Sequence, residues 1–456
     1  MKHTFSFFLL LAIVSCSSTK EDVTTYFGGK IINPKTNYVI LLKMEKVIDT
    51  FFLDKNNKFI GKIDSIQSGL YQFIHGNEHQ SVYFEPQDSL LIRLNTFDFD
   101  ESLVFSGKGA KRNNMLIDCF LEAEKDNKKF YKNYSLSPKK IKTKTDSLLL
   151  LKENLFNDFI NNNPDETVAF QNILNIALMY PIYSKLERYI RANNACEKNH
   201  KKELELISDT FYQHRKKVDI NIDELMYYST YSSYVIHFLY NLAYEKTRNF
   251  SQEFTINLLT IIDEKITSEK IKNELLHQTI ISHFFKKSNL EDYNKAVYTF
   301  FKLNTNIDHK KLVQRLLNDT KKVTENTVFP SFQIIDFNNT KQPIKNLIKS
   351  KNTFLYFWSS KYSSKSYVTS RILYLKNKYP NVKFLQILID GTPKDIMKKL
   401  DIKTQFYIDS TSGANKFLSS KIPRIILINN KGIVTTSYTT LSSEKIYKQL
   451  DDLTKN

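Results

Sequence analysis

Between Thr353 and Val368 the chain reads TFLYFWSSKYSSKSYV, with Ser359, Ser360, Ser363 and Ser364 set among Lys361, Tyr362 and Lys365. A serine beside a lysine can serve as nucleophile and base, but serines in front of a helical pattern also act as caps for free backbone amides. Residues 327–456 contain neither cysteine nor histidine, which excludes a Ser-His or Cys-His nucleophile within that stretch. Two other stretches suggest chemistry. His75-Gly76-Asn77-Glu78-His79 holds two histidines four apart beside an acid, as a metal site would, yet Gly76-Asn77 reads as a hairpin turn. Gly107-Lys108-Gly109-Ala110-Lys111 lacks the spacing of a phosphate loop and reads as a linker. Cys119 and Cys196 stand apart from any C-x-x-C pattern; they are either a disulfide or two buried small hydrophobes. No metal and no cofactor is expected from these patterns.

The elements that must hold these residues fall into three regions. From 25 to 108, short runs rich in Val, Ile, Phe and Tyr are broken by turns at Asn33-Pro34, Lys55-Asn56-Asn57 and Glu85-Pro86-Gln87-Asp88. That spacing predicts a small antiparallel β-sandwich. From 109 to 326 the period becomes helical. Leu148, Leu151, Leu155 and Phe159 share one face, Asn163-Pro164-Asp165-Glu166 reads as a helix start, and Ile271, Leu275, Ile280, Ile281 and Phe284 form another apolar face. From 327 to 456 strand and helix signals alternate, the mark of an α/β layer. FLYFW and VKFLQILID read as buried strands, PKDIMKKL as a helix, and PRIILINNKGIVTTSY as a hairpin turning at Asn430-Lys431-Gly432.

The 456 residues carry a formal net charge of +18 and are 41% hydrophobic. Residues 327–456 hold 21 Lys/Arg against 8 Asp/Glu, a net +13, whereas residues 17–110 hold 10 against 12, a net −2. Lysines around a helix start at Lys361 and Lys365 could attract an anion, although a lysine-rich solvated surface reads the same way. No recognition motif supports nucleic-acid binding.

The opening MKHTFSFFLLLAIVSC has a basic start and an apolar run far short of the roughly 20 residues that span a bilayer. Ile13-Val14-Ser15-Cys16 resembles a bacterial lipoprotein lipobox. The resemblance implies a signal peptide over 1–16, acylation of Cys16 and a tether over 17–24; an ordinary signal peptide is the alternative. Absence of Asp after Cys16, with Lys20-Glu21-Asp22 close by, leads to the expectation of an outer-membrane lipoprotein on the periplasmic or surface face.

Phe329-Pro330-Ser331-Phe332, Asp336, Phe357-Trp358, the strand ending at Asp390 and Ile422-Pro423 occur in the order found in the thioredoxin-like family. Over residues 327–456 the chain resembles its membrane-tethered disulfide-reductase and redoxin branch. The preceding region, with Gly69-Leu70-Tyr71, Pro86-x-Asp88 and Ser106-Gly107, resembles a β-sandwich of unknown function found in such exported lipoproteins. The resemblance implies that Pro423 is a cis-proline beside the active site. It also implies that the two redox cysteines of W-C-x-x-C fall on Tyr362 and Lys365, where neither phenol nor ammonium can perform thiol exchange.

The expected architecture is therefore α+β and multidomain: a β-sandwich, a helical middle and a thioredoxin-like α/β domain. The expected function is a redox-inactive binding or scaffold module of the cell envelope. A protein or peptide partner would lie in a groove made by Trp358, Ser360, Lys361, Tyr362, Ser363, Ser364, Lys365, Ile422 and Pro423. The alternatives are an envelope thiol-disulfide oxidoreductase using Cys119 and Cys196, and a surface receptor for a polyanion.

Overall fold

The computed structural model describes residues 24–195, 207, 210–286, 294–390, 396–443 and 445–455. The chain divides into two compact units, residues 1–217 with 224–234, and residues 218–223 with 235–456. The helical stretch is thus split between the two units instead of forming a body of its own.

In the first unit, alternation of buried and exposed residues along short strands builds two four-stranded sheets. One has the order β4 (Lys58–Ile63), β1 (Thr25–Ile32), β7 (Ser89–Asn95), β8 (Val104–Lys108). The other has the order β3 (Lys46–Phe52), β2 (Tyr38–Lys43), β5 (Gly69–His75), β6 (Glu78–Phe84). Phe27, Leu41, Phe59, Phe73, Val82 and Ile92 belong to their shared core. The expectation of an antiparallel sandwich needs one correction, because β1 and β7 run parallel. The long excursion through β2 to β6 supplies the crossover that a parallel pair requires.

Gly107 to Lys111 is not a linker. Gly107 (φ 92°) lies inside β8, which ends at Lys108, and Gly109 (φ 94°) leads directly into helix α1 (Ala110–Phe130). A Cβ on Gly107 would lie 2.0 Å from the Ser89 carbonyl oxygen, so the close approach to β7 demands glycine. Just inside α1, Arg112 binds the carboxylates of Asp88, Glu85 and Glu166, with Nη2 2.6 Å from Asp88 Oδ1.

Helix α2 (Pro138–Asn162) buries Ile141, Thr145 and Lys152 and leaves Leu151 and Leu155 exposed, so its inner face is rotated from the expected one. Lys152 can lie inward because its ammonium meets Glu122 of α1. Asn163 to Glu166 forms the link between helices. Helix α3 (Val168–Asn194) starts at Thr167, whose hydroxyl accepts from Phe170 N; Glu166 is drawn instead to Arg112.

Helix α4 (Ser229–Thr247) begins in the first unit and continues into the second, where α5 (Gln252–Lys265), α6 (Glu269–Lys286), α7 (Asn294–Leu303) and α8 (Ile307–Lys322) follow. Then come β9 (Gln333–Asp336), β10 (Lys341–Pro343), a helical turn α9 (Lys345–Ile348), β11 (Thr353–Ser359), α10 (Lys365–Lys378) and β12 (Lys383–Asp390). The chain ends with β13 (Gln405–Tyr407), β14 (Arg424–Ile428), β15 (Val434–Thr439) and α11 (Ile446–Lys455).

The seven strands have the order β10-β9-β13-β12-β11-β14-β15. β11, β12 and β13 run parallel, while β14 and β15 return antiparallel. Every residue of β11 is buried, as a central strand covered on both faces must be. Phe354, Tyr356 and Trp358 pack with Val368 and Ile372 of α10 and Leu450 of α11; Leu355 and Phe357 join Phe329, Phe332 and Phe417 in the other core layer.

The β14–β15 hairpin turns as expected, with Gly432 at φ 79°. The expected helix at PKDIMKKL is not seen in its described part, Ile396 to Leu400. There Met397 is held by both ends of the Gln405 side-chain amide, which substitutes for a helical ladder; residues 393–395 lie outside the described residues. Among the described residues no helix is long and apolar enough to cross a membrane.

The Arg112 cluster generates a stability prediction. Asp88 has no exposed side-chain surface, and Arg112→Met would strand its carboxylate without a cation. Chemical denaturation should show a loss of about 3–5 kcal/mol, the usual cost of breaking one side of a buried ion pair. A loss near zero would show that Asp88 is satisfied by the backbone amide of Glu85 alone.

Candidate functional site

The strand-to-helix junction after β11 uses its serines structurally. Ser359 is buried, its Oγ accepts from Lys361 N at 3.1 Å, and its carbonyl accepts from Tyr362 N and Ser363 N. Ser364 caps α10, accepting from Tyr367 N at 3.3 Å. These contacts fit the capping reading for Ser359 and Ser364.

Next to this junction is a half-enclosed cavity of about 250 Å³ with mainly apolar walls. Tyr356, Tyr362, Ser363 and Tyr367 form one side, and Ile422, Pro423 and the segment Thr440 to Ser442 form another. His277, Ile281 and Phe285 of α6, with Leu312 of α8, roof it. Burial, with His309 adding to it, pulls the His277 imidazole down to about 4, so this wall is uncharged at neutral pH.

Of the expected groove residues, Tyr362, Ser363, Ile422 and Pro423 line this cavity. Trp358 does not; the pleat turns it into the core beneath α10 and α11. Ser360, Lys361 and Ser364 are exposed, with Lys361 Nζ 5.7 Å over the Tyr362 ring. Lys365 lines a separate cleft with Thr369, Leu373 and Met397. The open groove expected from the sequence is therefore a roofed pocket, because α6 and α8 carry apolar residues that bury against the β11–α10 edge. The expected cis bond is also corrected: no described peptide bond is cis, so Ile422–Pro423 is trans.

One polar cluster fixes roof to floor. Arg424 follows Pro423 and is fully buried, donating to the carbonyl oxygens of Asp319, Phe417 and Ser437 at 2.6–3.1 Å. The Asp319 carboxylate, near the end of α8, accepts from Ser419 N at 3.1 Å and Ser420 N at 2.7 Å. Thr440 Oγ1 donates to the carbonyl of Phe285, tying down α6.

Cys119 is buried in the first unit, and burial pushes its thiol up to about 12, leaving almost no thiolate at neutral pH. Cys16 and Cys196 lie outside the described residues. In the His75 hairpin, the His75 ring is buried, with Nε2 accepting from Lys35 N at 2.9 Å and Nδ1 3.0 Å from the Tyr38 carbonyl. His79 is exposed on the neighbouring strand, so the two histidines do not converge.

Of the roof residues, sequence reasoning placed Ile281 on an apolar face but missed His277, Phe285 and Leu312. The signal was present: His277, Ile281 and Phe285 recur every four residues, one stripe of α6. A stripe, however, does not say what it will cover.

No family model and no curated protein matches the chain. Among solved structures, it is similar to a thiol-disulfide oxidoreductase of Bacteroides vulgatus, with 23% identity, 29% of this chain and 98% of that one covered, and a TM-score of 0.25. A C-terminal domain of a thiol-disulfide oxidoreductase from Bacteroides thetaiotaomicron is similar at 21% identity, with 29% and 98% covered and a TM-score of 0.25. A thiol:disulfide interchange protein from Chlorobium tepidum is similar at 15%, with 29% and 98% covered and a TM-score of 0.24.

The clamp at Asp319 predicts how the site responds to mutation. Asp319→Ala leaves the amides of Ser419 and Ser420 without an acceptor and should lower stability by about 1–3 kcal/mol. Trp358, the only tryptophan in the chain, should report the loosening as a fluorescence shift before global unfolding. Lys361→Ala, a change at an exposed position, should do neither.

Proposed function

We propose that this protein is a redox-silent binding module whose pocket receives a small apolar group, either a free ligand or the side chain of a partner polypeptide. The observation that carries this reading is the cavity beside Tyr362 and Pro423, in a unit whose sequence (218–223 and 235–456) contains no cysteine. Its volume of about 250 Å³ lies just below the roughly 300 Å³ at which drug-sized ligand sites begin. Apolar walls favour an uncharged occupant, with Ser363, Thr440 and Ser442 available to orient it.

We further propose, from the lipobox-like Ile13 to Cys16, that the chain is an envelope lipoprotein held on the outer membrane through acylated Cys16. The alternative, thiol exchange through Cys119 and Cys196, is weakened by the burial of Cys119 and its raised thiol pKa. The polyanion reading draws on the net +13 of residues 327–456, but that charge is not in the cavity walls.

The test is a titration of unlipidated protein with an uncharged hydrophobic fluorophore, beside Ile281→Asp and Lys361→Ala. Binding should be lost in the first, which sets a carboxylate in the cavity, and kept in the second. Equal binding in all three would refute the pocket. Disulfide exchange should be undetectable; turnover that vanishes in a Cys119→Ser, Cys196→Ser variant would establish the oxidoreductase instead.

A further inference from the structure

At the edge of the roof, α6 and α8 bring three metal-ligating side chains together. Glu274 and His277 are one turn apart on α6, and His309 lies in the first turn of α8. One donor atom from each lies within 4.8 Å of the other two. His309 Nε2 is 3.3 Å from Glu274 Oε1, already close to the separation of about 3.3–3.4 Å that two ligands of a tetrahedral zinc have. The two imidazole rings stack with centroids 4.3 Å apart and planes 10° apart.

That stack is difficult to explain by packing alone. His277 Nε2 and His309 Nδ1 are both buried without a hydrogen-bond partner. A buried unpaired nitrogen costs free energy, and that of His277, on the ring stacked against His309, points to a group that would satisfy it.

We propose that Glu274, His277 and His309 form a mononuclear site for a divalent transition metal of the zinc type. Two imidazoles and one carboxylate suit zinc or its first-row neighbours and not calcium or magnesium, which prefer oxygen donors throughout. Three protein ligands leave a fourth position for water or another ligand. Because His277 also lines the apolar cavity, the metal would stand at its margin. Small rotations about the two histidine side-chain bonds would turn the stacked rings toward a shared ion.

The test uses the full chain, freed of metal with a chelator and titrated with Zn²⁺ by calorimetry and with Co²⁺ by visible absorption. One Zn²⁺ per chain should bind, and Co²⁺ should give the intense bands of a four-coordinate site. His277→Ala and His309→Ala should each weaken Zn²⁺ binding more than about 100-fold, since losing even an outer-shell partner costs about 10–100-fold. Glu274 is half-exposed, so Glu274→Gln leaves the fold intact and should weaken binding by about tenfold or more. Circular dichroism shows whether the histidine variants remain folded. Failure of the wild type to bind Zn²⁺ overturns the proposal. So does binding unchanged in the variants, which would place the metal elsewhere, or a folded Glu274→Gln protein that binds like the wild type.

Discussion

The guanidinium of Arg424 is the point on which the C-terminal unit turns. A buried cation is costly unless its donors are answered, and here carbonyl oxygens from three separate segments answer them. Burial pulls the group down to about 10, still far enough above neutrality to keep the charge. The fork of an arginine suits this task because its donors diverge in a fixed plane; a lysine would present one point of charge. Since Arg424 follows Pro423 directly, whatever fixes the guanidinium also fixes the wall of the cavity. Since one acceptor is the Asp319 carbonyl and the Asp319 carboxylate holds Ser419 and Ser420, the same knot fixes α8, which supplies Leu312 to the roof.

Charge and cavity are thus separate features of this unit. Its surplus of lysine is the most conspicuous property of the sequence, yet the lysines nearest the junction do not enter the pocket. Lys361 is exposed over the Tyr362 ring, and Lys365 belongs to a different cleft. The walls of the cavity are apolar, while the basic charge acts at most on how charged molecules approach the surface.

How much of this was legible in the sequence depends on the range of the interaction. The turns at Asn33 and Asn57 and the hairpin at Gly432 could be read because each depends on a residue that tolerates positive φ, and the turn at 85–88 because Pro86 and Asp88 favour one. β11 could be read because an unbroken apolar run bounded by polar residues fits a strand covered on both faces. The face of α2 was misread because leucine spacing alone cannot tell which stripe finds a partner; Lys152 went inward because Glu122 awaited it. The parallel pairing of β1 with β7, the Gly107–Gly109 junction, the roof over the groove and the Glu274–His277–His309 cluster all depend on contacts between residues far apart in sequence. Arg424 is the sharpest case: one arginine in a lysine-rich segment looks like surface, and only the fold shows three carbonyls waiting for it.

Protein interiors leave few voids larger than a water molecule. A sealed apolar cavity of about 250 Å³ would cost at most roughly 6 kcal/mol at about 24 cal/mol per Å³. This cavity is half-open, so its cost is smaller, and a larger side chain at Ser363 would reduce it further. Tyr362 and Tyr367 stand at its margin, and two helices are bolted over it by buried polar contacts. An occupant that fits would offset the cost by binding only the folded state.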